Sequence, residues 1–151
     1  MKQQSIFTAE EYKANFKKNK NGKKEESIQL QVCDFLRNTY PDLIWFCDLA
    51  SGMKLPIWIA AKNALMRSSR GLPDLYIACP SKVGGAQKFG LFLELKKEGV
   101  VTKLNNGNLP ANEHIREQAD ILEQLKSFGY EAKFASGYTE AVEIIKNYLG
   151  V

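Results

Sequence analysis

Two acidic residues and a lysine lie next to short apolar segments, where charged groups are uncommon. Asp74 directly precedes the apolar segment 75–79, while Glu94 lies in a second one, 91–95, with Lys96 just after it. Both segments are bounded by turn residues, so we expect them to be buried β-strands. Their nine-residue connection suits an antiparallel hairpin with a loose loop.

The predicted hairpin would bring the two carboxylates together. Folding the chain about the glycine pair 84–85 places Asp74 opposite Glu94 and Leu95, because positions 74 and 94 are equally far from position 84. Side chains two apart in a strand share a face, so Glu94 and Lys96 point the same way. Two carboxylates this close favour a cation between them, and Mg²⁺ prefers one or two carboxylates plus sites for phosphate oxygens. The spacing therefore predicts a divalent-metal site.

Chance occurrence of these short patterns is the alternative explanation. Pro41-Asp42 also precedes an apolar segment, so a Pro-Asp step alone carries little information. Only Asp74 is followed, across a hairpin-compatible loop, by a Glu-x-Lys sequence inside an otherwise apolar strand. Burying such a charged pair without a partner is costly, which favours the metal site.

Two further polar side chains fall on apolar helix faces. Gln118 lies on such a face in a helix predicted over 112–128; a buried amide needs partners, so it is either a site residue or a core amide bonded to the backbone. Glu25 begins the apolar face of a helix predicted over 25–38. It is either held by the helix N-terminus, which favours anions, or a metal ligand, and Glu26 lies about 100° away around the helix.

Four short motifs follow one another along the chain: Glu25-Glu26-Ser27-Ile28-Gln29, Gly71-Leu72-Pro73-Asp74, Glu94-Leu95-Lys96, and a stretch from Gln118 to Gly129 with the pattern Gln-x-x-h-h-x-x-Leu-x-x-x-Gly, where h is apolar. Their order and content resemble the VRR-NUC family (virus-type replication–repair nucleases) of the PD-(D/E)xK nuclease superfamily. The resemblance covers about residues 25 to 136. The segment between Glu98 and Gln118 is long for the family, and the basic start of the chain has no counterpart in it.

The resemblance implies an endonuclease that hydrolyses DNA phosphodiester bonds with Mg²⁺ or Mn²⁺. The implied metal ligands are Asp74, Glu94, the Leu95 carbonyl and Glu25, with Glu26 as the alternative to Glu25. Lys96 would orient the attacking water or neutralise developing charge, a role that suits a compact ammonium. Gln118 would bond the metal-bound water or the lysine.

The resemblance also suggests branched DNA as the substrate, a Holliday junction or a flap processed in replication, recombination or repair. One small domain with one site and no separate reading module favours structure-selective cutting. Because junction resolution needs two opposed nicks, we expect a two-fold homodimer. The alternatives are a restriction-type endonuclease, a nuclease subunit that works with a helicase, and a DNA-binding module whose metal site is vestigial.

Positive charge is concentrated in two parts of the chain. Residues 1–24 hold seven lysines against two glutamates, and we expect a basic tail there ahead of a single domain over 25–151. The interval 49–73 contains no acidic residue and four basic ones: Lys54, Lys62, Arg67 and Arg70. Such patches favour DNA as a partner, with salt-sensitive affinity. A solvated tail and a solvated helix face are the alternative.

The remaining composition is that of a globular protein. With 151 residues and 44% hydrophobic content, the chain is large enough to bury a core. Cys33, Cys47 and Cys79 are far apart and form no CxxC motif, so we expect reduced core residues. The single histidine, His114, argues against histidine-based nucleophilic or zinc chemistry. No apolar run approaches a membrane span and no signal-peptide core is evident, so we expect a cytoplasmic protein.

The predicted fold is α/β, a restriction-endonuclease-like core in which helices flank a central mixed β-sheet. Helices are expected over 25–38, 56–68, 112–128 and 137–149, and strands over 43–49, 75–79, 91–95 and 130–135. A further short helix is expected over 8–19, where a capping box begins. The core face of the helix over 56–68 would consist of Trp58, Ile59, Ala61, Leu65 and Met66.

Overall fold

The computed structural model describes residues 24–48 and 54–151 of the chain. For Glu25 and Glu26 it describes the backbone but not the side chain. The helix predicted over 8–19 and residues 1–23 of the basic tail predicted over 1–24 lie outside the described residues. The elements in chain order are α1 (Lys24–Thr39), β1 (Trp45–Cys47), α2 (Ile57–Leu65), β2 (Leu75–Ile77), β3 (Ser81–Val83), β4 (Ala86–Lys88), β5 (Leu91–Lys96), α3 (Glu113–Ser127), β6 (Glu131–Ser136) and α4 (Gly137–Leu149).

A four-stranded mixed sheet with the strand order β1-β2-β5-β6 lies at the centre of the fold. β1, β2 and β5 pair antiparallel, whereas β5 and β6 run parallel. A parallel pair needs a crossover connection, and α3 lies in the connection between β5 and β6. The predicted α/β class, with helices flanking a mixed sheet, is confirmed.

The two faces of the sheet have different roles because successive side chains of a strand point to opposite faces. Leu91, Leu93 and Leu95 of β5 are buried in the main core, to which α1 and α4 contribute Val32, Leu36, Ile145 and Tyr148. Glu94 and Lys96 alternate with these leucines and therefore lie on the opposite face, towards α3. The pleat of β5 thus separates the apolar core from the candidate site.

The position of α3 is fixed by its N-terminal cap. The Asn112 side chain accepts a hydrogen bond of 3.2 Å from the backbone N–H of Ile115, as expected of an asparagine N-cap. Ile115, Ala119 and Leu122 are buried on one side of the helix. Gln118 belongs to the same buried side, so the cap and the apolar stripe together aim its amide at the sheet.

The connection between β2 and β5 is more ordered than the predicted loose loop. It forms a second, two-stranded antiparallel sheet from β3 and β4. The turn between them consists of Gly84 and Gly85, with φ values of 58° and 83°. A two-residue hairpin turn of this kind needs positive φ at both positions, which glycine adopts without strain.

The core face predicted for α2 is wrong. The helix ends at Leu65, and none of its residues is buried. Trp58 is 71% exposed and Leu65 is 88% exposed, while Met66 just after the helix is also exposed. α2 makes few contacts with the other described elements, and most of its large apolar side chains are exposed. The apolar spacing predicted the helix correctly but not what covers it.

No helix in the described ranges is both long enough and apolar enough to cross a membrane.

Candidate active site

Asp74 is held at its backbone and at its side chain by two neighbouring segments. Its carboxylate oxygen Oδ2 accepts a hydrogen bond of 2.8 Å from the backbone N–H of Leu95. Its backbone carbonyl accepts one of 2.6 Å from the N–H of Asp48, next to β1. Continuing the antiparallel β2–β5 register by one residue places Asp74 opposite Glu94. Both carboxylates therefore emerge side by side on the face of the sheet that α3 covers.

Glu94 is oriented by two donors on its Oε1 atom. The Lys96 ammonium, two residues along the same strand face, lies 2.8 Å from Oε1. The Gln118 side-chain amide of α3 donates to the same oxygen at 2.5 Å. Hydrogen bonds to a charged group are stronger than those between neutral groups, so the Glu94 carboxylate has a fixed position.

The cluster formed by Asp74, Glu94, Lys96 and Gln118 is almost completely shielded from solvent. The relative exposures of these residues are 3%, 2%, 8% and 5%, in that order. Buried charged groups are normally paired or coordinate metals, and Glu94 is paired with Lys96 here.

The oxygen atoms of the cluster fit a hard divalent cation. Carboxylate oxygens of Asp74 and Glu94 and a backbone carbonyl such as that of Leu95 are the ligand types that Mg²⁺ prefers. The Gln118 Oε1 atom is buried and has no hydrogen-bond partner among the described residues. Because buried polar atoms are normally satisfied, this oxygen is an acceptor suited to a water molecule or to the lysine.

Glu25, the third carboxylate ligand predicted from the sequence, is described only at its backbone. Glu25 lies in the first turn of α1, but its side chain is outside the described residues, as is that of Glu26. Within the described ranges, no three His, Cys, Asp or Glu side chains form a group that could hold a metal ion. Ligation by Glu25, or by Glu26 in its place, therefore stays a prediction.

An ion pair that the sequence did not reveal lies beside the site. Arg67, just after α2, pairs with the Asp48 carboxylate, and Asp48 is the residue whose N–H bonds the Asp74 carbonyl. Arg67 belongs to the interval 49–73, which contains no acidic residue, and its partner Asp48 lies one position before that interval. Three other cations of the interval are exposed: Lys54, Lys62 and Arg70.

The fold of this chain is similar to that of a known protein structure. No protein-family model matches the chain, and a search of curated proteins found no match. Among solved structures, a protein named "VRR_NUC domain protein" is similar, with 24% sequence identity and a TM-score of 0.54. The similarity covers 85% of this chain and 90% of that protein. At this level of identity, the similarity shows that the chain shares the α/β fold of that protein.

Proposed function

We propose that the chain is a metal-dependent endonuclease that hydrolyses DNA phosphodiester bonds. The observation that carries this proposal is the buried, hydrogen-bonded cluster of Asp74, Glu94, Lys96 and Gln118 on one face of the sheet. The fold shared with a VRR_NUC domain protein adds support.

The proposed metal is Mg²⁺ or Mn²⁺, held by Asp74, Glu94 and the Leu95 carbonyl, with Glu25 as a further ligand. When bound, a divalent cation supplies Lewis-acid activation of the phosphate and lowers the pKa of a coordinated water. The hydrogen bond from the Leu95 N–H fixes the Asp74 carboxylate, so its oxygens have a set direction before the metal arrives. Such preorganisation reduces the reorganisation that catalysis would otherwise require.

Lys96 and Gln118 act on the reacting groups in this proposal. The Lys96 ammonium would stabilise the negative charge that develops on the phosphate, or hold the attacking water. Gln118 fixes Glu94 through its amide N–H, and its Oε1 atom would accept a hydrogen bond from that water. Because both ends of the amide are directional, Gln118 would orient the water relative to the Glu94 carboxylate.

DNA is the proposed substrate, and the basic segment between β1 and β2 supports it. Lys54, Lys62 and Arg70 are exposed, and the segment that carries them leads directly into Asp74. Exposed cations near a phosphodiester-cleaving site would neutralise backbone phosphates, which makes affinity fall with salt concentration. The lysines before residue 24 would add to this attraction.

We infer branched DNA as the preferred form and a two-fold homodimer as the active assembly. The apolar side chains on α2 support the dimer, because a nine-residue helix with few contacts to the other described elements is marginal in water. β1 is also an edge strand of the sheet, and it lies next to this region in sequence. The exposed apolar residues of the two segments are Ile44, Phe46, Ile57, Trp58, Leu65 and Met66. A second copy that covers them would give two opposed sites, as junction resolution needs.

The test is cleavage of a panel of duplex, flap, fork and four-way-junction DNA with Mg²⁺, Mn²⁺ or a chelator. The chain should cut branched DNA faster than duplex, and only with metal. Asp74→Asn keeps the shape of the residue and should abolish cutting. Asp42→Asn changes the exposed aspartate of the other Pro-Asp sequence, Pro41-Asp42, and should leave cutting unchanged.

Each other outcome of this panel points to a different function. Fragments of defined sequence from duplex DNA would indicate a restriction-type enzyme. Cutting that appears only after a helicase is added to the reactions would indicate a helicase-dependent nuclease subunit. Binding without nicking under all metals would indicate a DNA-binding module. Full activity of Asp74→Asn would overturn the assignment of the site.

A further inference from the structure

We propose that Cys33 and Cys47 form a redox-sensitive dithiol that closes to an intramolecular disulfide when it reacts with a small disulfide oxidant such as oxidised glutathione. This site joins α1 to β1 and lies outside the proposed catalytic cluster. The proposal does not depend on the chain being a nuclease.

A contact between the C-terminal part of α1 and β1 indicates that the two cysteines lie in neighbouring positions. The Arg37 guanidinium of α1 lies 5.7 Å from the centre of the Trp45 ring of β1. Cys33 is one helical turn before Arg37, about 6 Å along the helix. Cys47 is two residues after Trp45, about 6.6 Å along the strand and on the same face. Only residues 40–44 connect α1 to β1, so moving away from this connection past Arg37 and Trp45 leads to Cys33 on the helix and to Cys47 on the strand.

The two thiols differ in their chemistry. A hydrogen bond with the Cys47 side chain lowers the pKa of the Cys33 thiol. The Arg37 charge lowers it further. The same bond raises the pKa of Cys47, and burial raises it more. Because the thiolate is the nucleophile in thiol chemistry, Cys33 is the residue that attacks first.

Both cysteines are free thiols and only partly buried, so a small oxidant can reach them. In the first step the Cys33 sulfur attacks the oxidant disulfide, which forms a mixed disulfide and releases one thiolate. In the second step Cys47 gives up its proton to solvent and its sulfur attacks the Cys33 sulfur, which releases the second thiol. Two protein thiols are oxidised to one disulfide, and one oxidant disulfide is reduced to two thiols.

Cys79 provides an internal control. It lies beyond the C-terminal end of β2, where Ala78 donates to the Ile44 carbonyl at 2.9 Å. Cys47 pairs with Leu75 at the opposite end of the same antiparallel strands. The strands therefore keep Cys79 away from Cys47, and a disulfide between them would require β1 and β2 to separate.

The cross-link would change the mobility of α1 next to the candidate site. Cys47 is followed by Asp48, whose N–H bonds the Asp74 carbonyl, and α1 carries Glu25 in its first turn. Joining the two elements covalently restricts the unfolded chain, so the oxidised protein should melt at a higher temperature than the reduced protein.

The experiment equilibrates the full chain in glutathione buffers of increasing oxidised fraction. After acid quenching, intact mass and free-thiol number are measured, and digested samples are mapped for cross-linked peptides. We expect the thiol number to fall from three to one, a single Cys33–Cys47 cross-link, and no change in oligomeric mass. The wild-type peptide map gives the connectivity without any variant.

Variants separate the roles of the three thiols. Cys79→Ser should still form the cross-link, Cys47→Ser should accumulate a glutathione adduct on Cys33, and Cys33→Ser should form neither. Retention of all three thiols in buffers that oxidise the same chain in denaturant would overturn the proposal. A cross-link that involves Cys79, or one between two chains, would overturn it as well.

Discussion

Replacing Lys96 with methionine tests whether the cluster is a buried electrostatic unit. Lys96 and Glu94 form an ion pair of 2.8 Å, and the exposures of their side chains are only 10% and 3%. Removal of one partner of a buried pair typically costs about 3–5 kcal/mol, because the remaining charge stays buried. Glu94 keeps its hydrogen bond from Gln118, so we expect a loss near the lower end, about 3 kcal/mol.

A second lysine of the chain offers a matched control. Lys126 and Glu123 form an ion pair of 2.7 Å, but their side chains are 40% and 71% exposed. An exposed pair of this kind contributes about 0.2–1 kcal/mol. Lys126→Met should therefore change the free energy of unfolding little. The two ion pairs have similar lengths, so the difference in lost free energy of unfolding should come from their different burial.

The assay is urea unfolding of wild type and both variants, followed by tryptophan fluorescence and circular dichroism at pH 7 without divalent metal. Lys96→Met should lower the midpoint clearly, with an unchanged slope, since the exposed area on unfolding stays similar. Added Mg²⁺ should recover more stability in Lys96→Met than in wild type, because its two carboxylates then lack the ammonium. Equal losses in the two variants would refute the reasoning.

Three further predictions concern other parts of the molecule. Burial raises the pKa of Tyr148 from 10.0 to about 12, so its contribution to stability is present below pH 10 and is lost as pH rises towards 12. This loss amounts to about 2–3 kcal/mol. The free energy of unfolding, measured by urea titration at pH values from 10 to 12, should therefore fall less in Tyr148→Phe than in wild type. Trp58→Glu on α2 should give the mass of a monomer in light scattering. Phe128→Glu changes an exposed aromatic residue outside α2 and should keep the mass of a dimer. An unchanged mass in Trp58→Glu would exclude α2 from the interface. Arg70→Ala should reduce the slope of log affinity for DNA against log salt by about one, and Lys146→Ala on α4 should not; equal slopes would exclude Arg70 from phosphate contact.

The region of the candidate site could be predicted from sequence because its geometry is local. Asp74 and Glu94 each lie ten residues from Gly84, the first residue of the hairpin turn, and a strand has a side-chain period of two. These two facts set which residues lie opposite each other and which share a face. Gln118 followed from helical periodicity and from the cap at Asn112. The roles of these residues in catalysis remain predictions.

Features that depend on long-range packing could not be predicted in the same way. The apolar stripe of α2 indicated a covered face, but periodicity does not say whether the cover comes from the same chain. β3 and β4 contain polar residues without strand-like alternation, so the two glycines of the turn were the only sequence signal for the β3–β4 hairpin. The Arg67–Asp48 ion pair joins residues that no sequence spacing connects, and it depends on how the chain leaves β1 and returns to β2.

The most direct test of the central claim is a titration of the chain with Mn²⁺, observed by electron paramagnetic resonance in the absence of DNA. The wild-type chain should bind Mn²⁺, and Mg²⁺ should compete for the same site. Asp74→Asn should lose this binding, while Asp42→Asn should retain it. Binding of equal strength in wild type and Asp74→Asn would contradict the assignment of a metal centre to this cluster.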